Sequence, residues 1–344
     1  MTVERGLQST IGTLAQSAPI LSAYVRRRLQ SSVNIVYAHY AGEPVPYFAD
    51  FWRGLTVDRF DAILTDLARR FRFVTLAEAL ADDGPAHGGK PTLAVTFDDG
   101  FDLIAGGVAD VLDRHDVRAT SFLITSCLDN RRLMWRHSLS AARALTPDPS
   151  TFVAAFNGVA ASARLPQIRV AGAAQRSAAP RPHARKDELA DAVWERCDIG
   201  PPGEYLAAAR PYFDDAGVRD WLRRGHTIGL HTHTHPHCGE LGADDVIDEI
   251  ERPAAWLRER YELDRVWFSY PFGSRLPDAL ERDVCERGAI DCALGIEGFA
   301  SRGTPLRRLE RSSLDGVVAF SVYGRVLLGR GARPNGLSGS NTAL

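Results

Sequence analysis

A chain of 344 residues, 45% hydrophobic and 24% charged, has the balance of a globular protein that buries a core, in one large α/β domain with insertions or in two domains. Its formal net charge of −2 excludes a polycation that would hold nucleic acid or an anionic membrane by charge alone. Cys127, Cys197, Cys238, Cys285 and Cys292 are an odd, scattered set with no CxxC pair; this argues against a disulfide framework or a four-cysteine zinc module and points to a reducing compartment.

The first thirty residues lack the signal-peptide order of basic start, apolar run and small-residue cleavage site, and no stretch approaches the ~20 apolar residues that span a bilayer. The expectation is a solvated helical extension over 1–31 in a cytoplasmic protein, with peripheral membrane contact as the second option and the oligomeric state open. From residue 32 short apolar runs alternate with helical patterns. "SVNIVYAHY" (32–40) reads as a buried strand. In 56–71, Phe60, Ile63, Leu64 and Leu67 share a helix face behind Thr56 as N-cap. Strands follow at 91–100 and 119–128, separated by a helix at 107–117. After an interruption come a helix at 214–225, a strand at 226–232 and a long helix at 243–262. A strand at 265–273, a helix at 278–288 and a strand at 290–298 complete the series. Such alternation implies a mainly parallel sheet covered by helices. Six strands, or seven with 305–311, suit a closed or incompletely closed barrel; local pattern fits an open doubly wound sheet as well.

The interruption spans about 129–213. Its Ala-, Arg-, Ser- and Pro-rich middle, 160–187, reads as a flexible loop, flanked by helical pieces such as 186–197, where Leu189, Val193, Trp194 and Cys197 share a face. The barrel would occupy 32–330, and 331–344 reads as a disordered tail.

Two stretches carry chemistry. "HTHTHPHC" (231–238) follows a strand, where the functional side chains of parallel sheets gather. His231 and His235 would stand ~13 Å apart on an extended strand, too far to share an ion, but ~6 Å apart on one face of a helical turn. The competing geometry pairs His231 with His233 on an unbroken strand. "TFDDG" (96–100) ends another strand with two adjacent carboxylates, which are costly unless something positive lies between them. A His, His, Asp set with an open position is the arrangement of a hydrolytic metal centre.

"TFDDG" with "IGLHTHTHP" resembles the first two motifs of the polysaccharide deacetylases (carbohydrate esterase family four, with the nodulation-type deacetylase homology domain). "FSYPFG" (268–273) looks like a variant of the third. The resemblance covers about 32–315 outside the long insertion. It implies a distorted (β/α) barrel that removes acetyl groups from N-acetylated sugars or glycans. It makes Asp98 the general base, and Asp99, His231 and His235 the ligands of a divalent metal, with Zn2+ the first choice. It also gives the Phe272 main-chain N–H to the tetrahedral oxyanion. Tyr270 and Phe272 of that motif, with Trp135, are the candidates for the substrate wall. Two departures matter. The third motif of many active members opens with an arginine that orients the base, where Ser269 stands here. The fifth supplies a histidine as general acid, yet no histidine follows His237, and "LRRLERSSL" (306–314) offers Arg308, Glu310 and Arg311 instead. A metal-retaining, carbohydrate-binding relative without turnover is therefore the alternative, and an amidohydrolase-like His231–His233 pair the third reading. His39, near the end of the first strand, is the candidate acid. His137 reads as a packed histidine, and His233 and His237 as solvated.

Overall fold

The computed structural model describes residues 19–81, 89–164, 167–169 and 185–315. Its strands are β1 (Ser32–Val33), β2 (Ile35–Ala38), β3 (Arg72–Phe73), β4 (Thr92–Phe97), β5 (Thr120–Leu123), β6 (Thr227–Leu230), β7 (Trp267–Ser269), β8 (Cys292–Leu294), β9 (Ala300–Ser301) and β10 (Ser312–Ser313). Seven run side by side, all parallel, in the order β10-β2-β4-β5-β6-β7-β8. Leu309 bridges to Leu294 at one edge, and three residues later Ser312 pairs with Val36 at the other. The sheet thus curls into the distorted (β/α) barrel. All six residues of β4 are buried, as expected of a strand covered on both faces. β1 pairs antiparallel with β9 away from this path.

Helix Val57–Ala68 forms as its pattern predicts. Thr56 Oγ1 accepts the Arg59 N–H at 3.3 Å, and Phe60, Ile63, Leu64 and Leu67 are buried, each contributing about 2 kcal/mol. Several strands are shorter than their apolar runs. The run 265–273 yields three strand residues, because the chain turns at Pro271 and Phe272 takes a left-handed φ of 58°. The seventh strand lies at 312–313 and not at 305–311, where Leu306–Arg308 coil into a 3-10 turn behind Pro305. The helix expected at 243–262 is broken into Ala243–Val246, a π turn at Ile247–Glu251, and Arg252–Arg260. Pro253 explains the irregularity. It has no N–H for the Glu249 carbonyl one turn back, and that carbonyl accepts the His233 N–H at 2.9 Å instead.

The N-terminal helix, Pro19–Gln30, is docked and not solvated: Val25 and Leu29 are buried, and Arg302 Nε donates to the Gln30 carbonyl at 2.9 Å. Residues 129–213 hold helices at Trp135–Leu145, Pro149–Ser162, Lys186–Arg196 and Pro202–Ala209, and Leu189, Val193, Trp194 and Cys197 are buried as predicted. Most of the expected loop at 160–187, and the expected tail at 331–344, lie outside the described residues.

His226, just before β6, carries a pH dependence. Its Nδ1 accepts the Ala119 N–H at 3.1 Å, its ring stacks on Trp221, and burial holds its pKa down at about 4 against an ordinary 6.5. The folded protein keeps the neutral ring while the unfolded chain takes a proton below 6.5. This stabilisation is complete above pH 6.5 and fades as pH falls toward 4, by about 3 kcal/mol in all. Urea midpoints across this range should fall steeply for the wild type and less steeply for His226→Asn. Parallel slopes would remove His226 from the account.

Candidate active site

The chain folds its two motifs onto one end of the barrel, at the carboxyl ends of β4 and β6. Asp99 Oδ1 lies 3.5 Å from His231 Nε2 and 3.4 Å from His235 Nε2, and the two Nε2 atoms are 3.2 Å apart. Donors bound to one ion at about 2.0–2.1 Å with tetrahedral angles stand ~3.3–3.4 Å from one another, so this triangle has the dimensions of one face of a zinc site. Among the described residues it is the only such group of three. Asp99 Oδ1 is buried and has no hydrogen-bond partner, a costly state that a cation between the three donors would relieve. Burial drives the His235 pKa down to about 3, which leaves its ring neutral with a lone pair to give. His231 Nδ1 donates to the Ser269 carbonyl at 2.7 Å, which leaves Nε2 as the lone-pair nitrogen.

The convergence of His231 and His235 does not use a helical turn. Thr232 and His235 both adopt left-handed φ, 66° and 61°, and Thr232 Oγ1 accepts the His235 N–H at 2.9 Å. Left-handed backbone at a β-branched residue is strained, and Asp99 (φ 71°) and Phe272 (φ 58°) share that conformation around the same cavity. The loop is held from behind by Glu249, whose Oε2 accepts the His233 and Thr234 N–H groups at 3.1 and 2.8 Å. His233 points away from the triad to Thr125 and is exposed, which closes the His231–His233 reading. His237 stacks on Phe272 with 4.3 Å between ring centres and is only partly solvated.

Asp98 is buried beside the triad in the grip of Arg311, which is itself fully buried. The guanidinium donates from Nη1 to Oδ1 at 2.8 Å and from Nη2 to Oδ2 at 2.9 Å, and reaches Thr96 Oγ1 and Ser269 Oγ as well. The arginine missing from the third motif is therefore supplied by the chain entering β10. Ser269, standing in the old place, accepts from Arg311 at 2.6 Å and donates to Asp98 at 3.3 Å. Burial raises the pKa of the Asp98 carboxyl, but Arg311, with His231 and His39, outweighs it and keeps it below the ordinary range.

His39 follows β2 and lines the same cavity as Asp98, Asp99, His231 and His235. Its Nδ1 lies 2.6 Å from Asp315 Oδ2 and its Nε2 4.0 Å from Asp99 Oδ2. Burial pulls its pKa down, but the Asp315 carboxylate, with Asp99 and Asp98 beyond, lifts it to about 9. His137 is packed, as its pattern suggested, but packed onto the site. Its Nε2 is 3.3 Å from Asp99 Oδ2, while the Tyr212 hydroxyl meets its Nδ1 at 2.7 Å. Burial keeps its pKa low, so the neutral ring donates to Asp99 and orients that carboxylate. Of the expected substrate wall, Phe272 lines the cavity; Tyr270 borders it but is fully buried, its hydroxyl donating to Glu281 at 3.0 Å, so it offers no open face to a sugar. Trp135 needs correcting. It is 1% exposed, so it has no face to lay against a sugar, and its Nε1 instead donates to the His235 carbonyl at 3.1 Å.

The sequence profile described as polysaccharide deacetylase matches residues 86–154 and 192–284. The unmatched stretch between them lies in the insertion, and Asp98, Asp99, His231 and His235 fall inside the matched spans. No curated protein matches the sequence. Among solved structures, Streptococcus pyogenes deacetylase PplD in complex with acetate aligns at 15% identity with a TM-score of 0.55, covering 85% of this chain and 96% of that one. Bacillus anthracis BA0330, assigned as a polysaccharide deacetylase, aligns at 12% identity with a TM-score of 0.52, covering 86% and 68%. At such identities the likeness speaks for the fold, and the two matched spans, which hold both motifs, make the chain similar in sequence to the polysaccharide deacetylases.

Proposed function

We propose that the protein hydrolyses an N-acetyl group of a sugar or glycan, using a divalent metal, zinc by first choice, held by Asp99, His231 and His235. The carrying observation is that one cavity of about 180 Å³ brings together this tetrahedral face of donors and a carboxylate, Asp98, kept ionised by Arg311. A metal held there would supply Lewis-acid polarisation of the acetyl carbonyl and acidify water. Asp98 accepts the proton of the attacking water, and the Phe272 main-chain N–H is the candidate donor to the tetrahedral oxyanion. His39, held by Asp315, carries the proton that the departing amine needs. Arg311 and the His39–Asp315 pair supply what the two sequence departures removed, and this favours turnover over a metal-retaining relative that only binds.

Acetate release from N-acetylglucosamine oligomers, abolished by chelation and restored by a divalent ion, tests the reading; release that ignores chelation contradicts it. In the same preparations Asp99→Ala, His231→Ala and His235→Ala should each lose bound metal, measured by elemental analysis. His233→Ala should keep it, because that ring faces Thr125. Equal loss from His233→Ala would overturn the ligand assignment.

A further inference from the structure

Tyr212 stands at the end of the long insertion, outside the cavity and behind His137. Its ring stacks on Phe101 with 5.7 Å between ring centres, and a backbone bridge joins the same two residues, so its hydroxyl has a fixed place. That hydroxyl lies 3.0 Å from the Met134 main-chain nitrogen and 2.7 Å from His137 Nδ1. Both contacts have only one direction. A main-chain N–H can only donate, so the phenol oxygen accepts from Met134 and its single proton is left for Nδ1. The Cys127 thiol lies beside the hydroxyl too, but its sulfur is a far weaker acceptor than an imidazole lone pair. Burial holds the phenol pKa well above its ordinary value, so the proton stays on it. On the other side of the ring His137 Nε2 stands 3.3 Å from Asp99 Oδ2, and a carboxylate only accepts. The two ends therefore demand the same neutral tautomer, with the hydrogen on Nε2. They also separate the oxygens of Asp99. Oδ2 faces this donor, with His39 Nε2 further off at 4.0 Å, whereas the buried Oδ1 faces His231 and His235 and has no hydrogen-bond partner.

We propose that Tyr212 is a positioning residue: it fixes the His137 tautomer that holds Asp99 Oδ2, and so presents Oδ1 to His231 and His235 for the ion. The proposal rests on the metal-site reading for its effect on affinity but not for the tautomer. Nitrogen NMR of the histidine-labelled, metal-free wild type, with His137 assigned by difference against His137→Gln, should show the Nε2–H form. That spectrum decides the tautomer without relying on the fold of a Tyr212 variant. Tyr212→Phe keeps the ring on Phe101 and removes the hydroxyl. It should let the tautomers mix and weaken zinc binding, measured by chelator competition, by about 10–100-fold, the usual loss when a ligand's orienting partner goes. His137→Gln, whose amide can still donate to Oδ2, should bind zinc nearly as the wild type does, while His137→Leu should lose at least as much as Tyr212→Phe. Because Tyr212 acts through the imidazole, adding Tyr212→Phe to His137→Leu should weaken binding no further. A wild type in the Nε2–H form that binds no zinc supports the hydrogen-bond relay and rejects the metal reading. His137 found as Nδ1–H or as imidazolium, wild-type zinc affinity in Tyr212→Phe, or a further loss in the double variant overturns the proposal.

Discussion

Arg311→Met should lower acetate release by roughly 10²–10⁴-fold, the scale of losing an effective general base, while the triad still binds metal. The guanidinium touches both oxygens of Asp98 and none of the triad side chains. Without it the buried carboxyl loses the group that offsets its desolvation, so its pKa rises and the base is protonated at pH values where the wild type works. The acidic limb of the pH–rate profile should therefore move to higher pH. Leaving a buried carboxylate unpaired also costs about 3–5 kcal/mol of stability. Arg311→Lys guards against an unfolded variant: it restores charge without the two-pronged geometry and should recover part of the rate and most of the stability. A pH profile that does not move in either variant would limit Arg311 to a structural role.

The second large effect belongs to His39. His39→Ala should cut turnover of an N-acetyl sugar by roughly 10²–10⁴-fold and leave metal content and fold intact. An amine is a poor leaving group and needs a proton, whereas the alkoxide of an acetyl ester leaves more readily, so the same variant should lose far less on an O-acetyl substrate. Asp315→Asn should act in the same direction more mildly. It removes the carboxylate that raises the His39 pKa, so the alkaline limb of the profile should shift to lower pH. Equal losses on amide and ester would assign His39 to binding and turn attention to His137.

The triangle of Asp99, His231 and His235 was legible as a candidate site because both halves are local: two carboxylates ending one strand and histidines four apart after another. Periodicity located the helices and the parallel strands for a similar reason, since each pattern is complete within about ten residues. What could not be read depends on distant partners. Arg311 grips Asp98 across 213 positions, and in "LRRLERSSL" it looks like any surface arginine. His137 and Arg136 come from a helix inside the insertion, a segment whose sequence carries no motif, and they build a wall of the cavity. The turn that joins His231 to His235 rests on Thr232 in a conformation its residue type disfavours, which propensity argues against. Pro253 was the overlooked clue in the helix after it, because a proline at that position frees the carbonyl that anchors the histidine loop.

The central claim is that Asp98, held by Arg311, is the base beside a metal bound by Asp99, His231 and His235. Asp98→Asn tests it most directly, with metal content and acetate release measured on one preparation. An amide of the same shape can still accept from Arg311 but cannot take a proton from water. The account predicts metal content equal to the wild type and acetate release lowered by roughly 10³-fold or more. Wild-type acetate release from metal-loaded Asp98→Asn would contradict it.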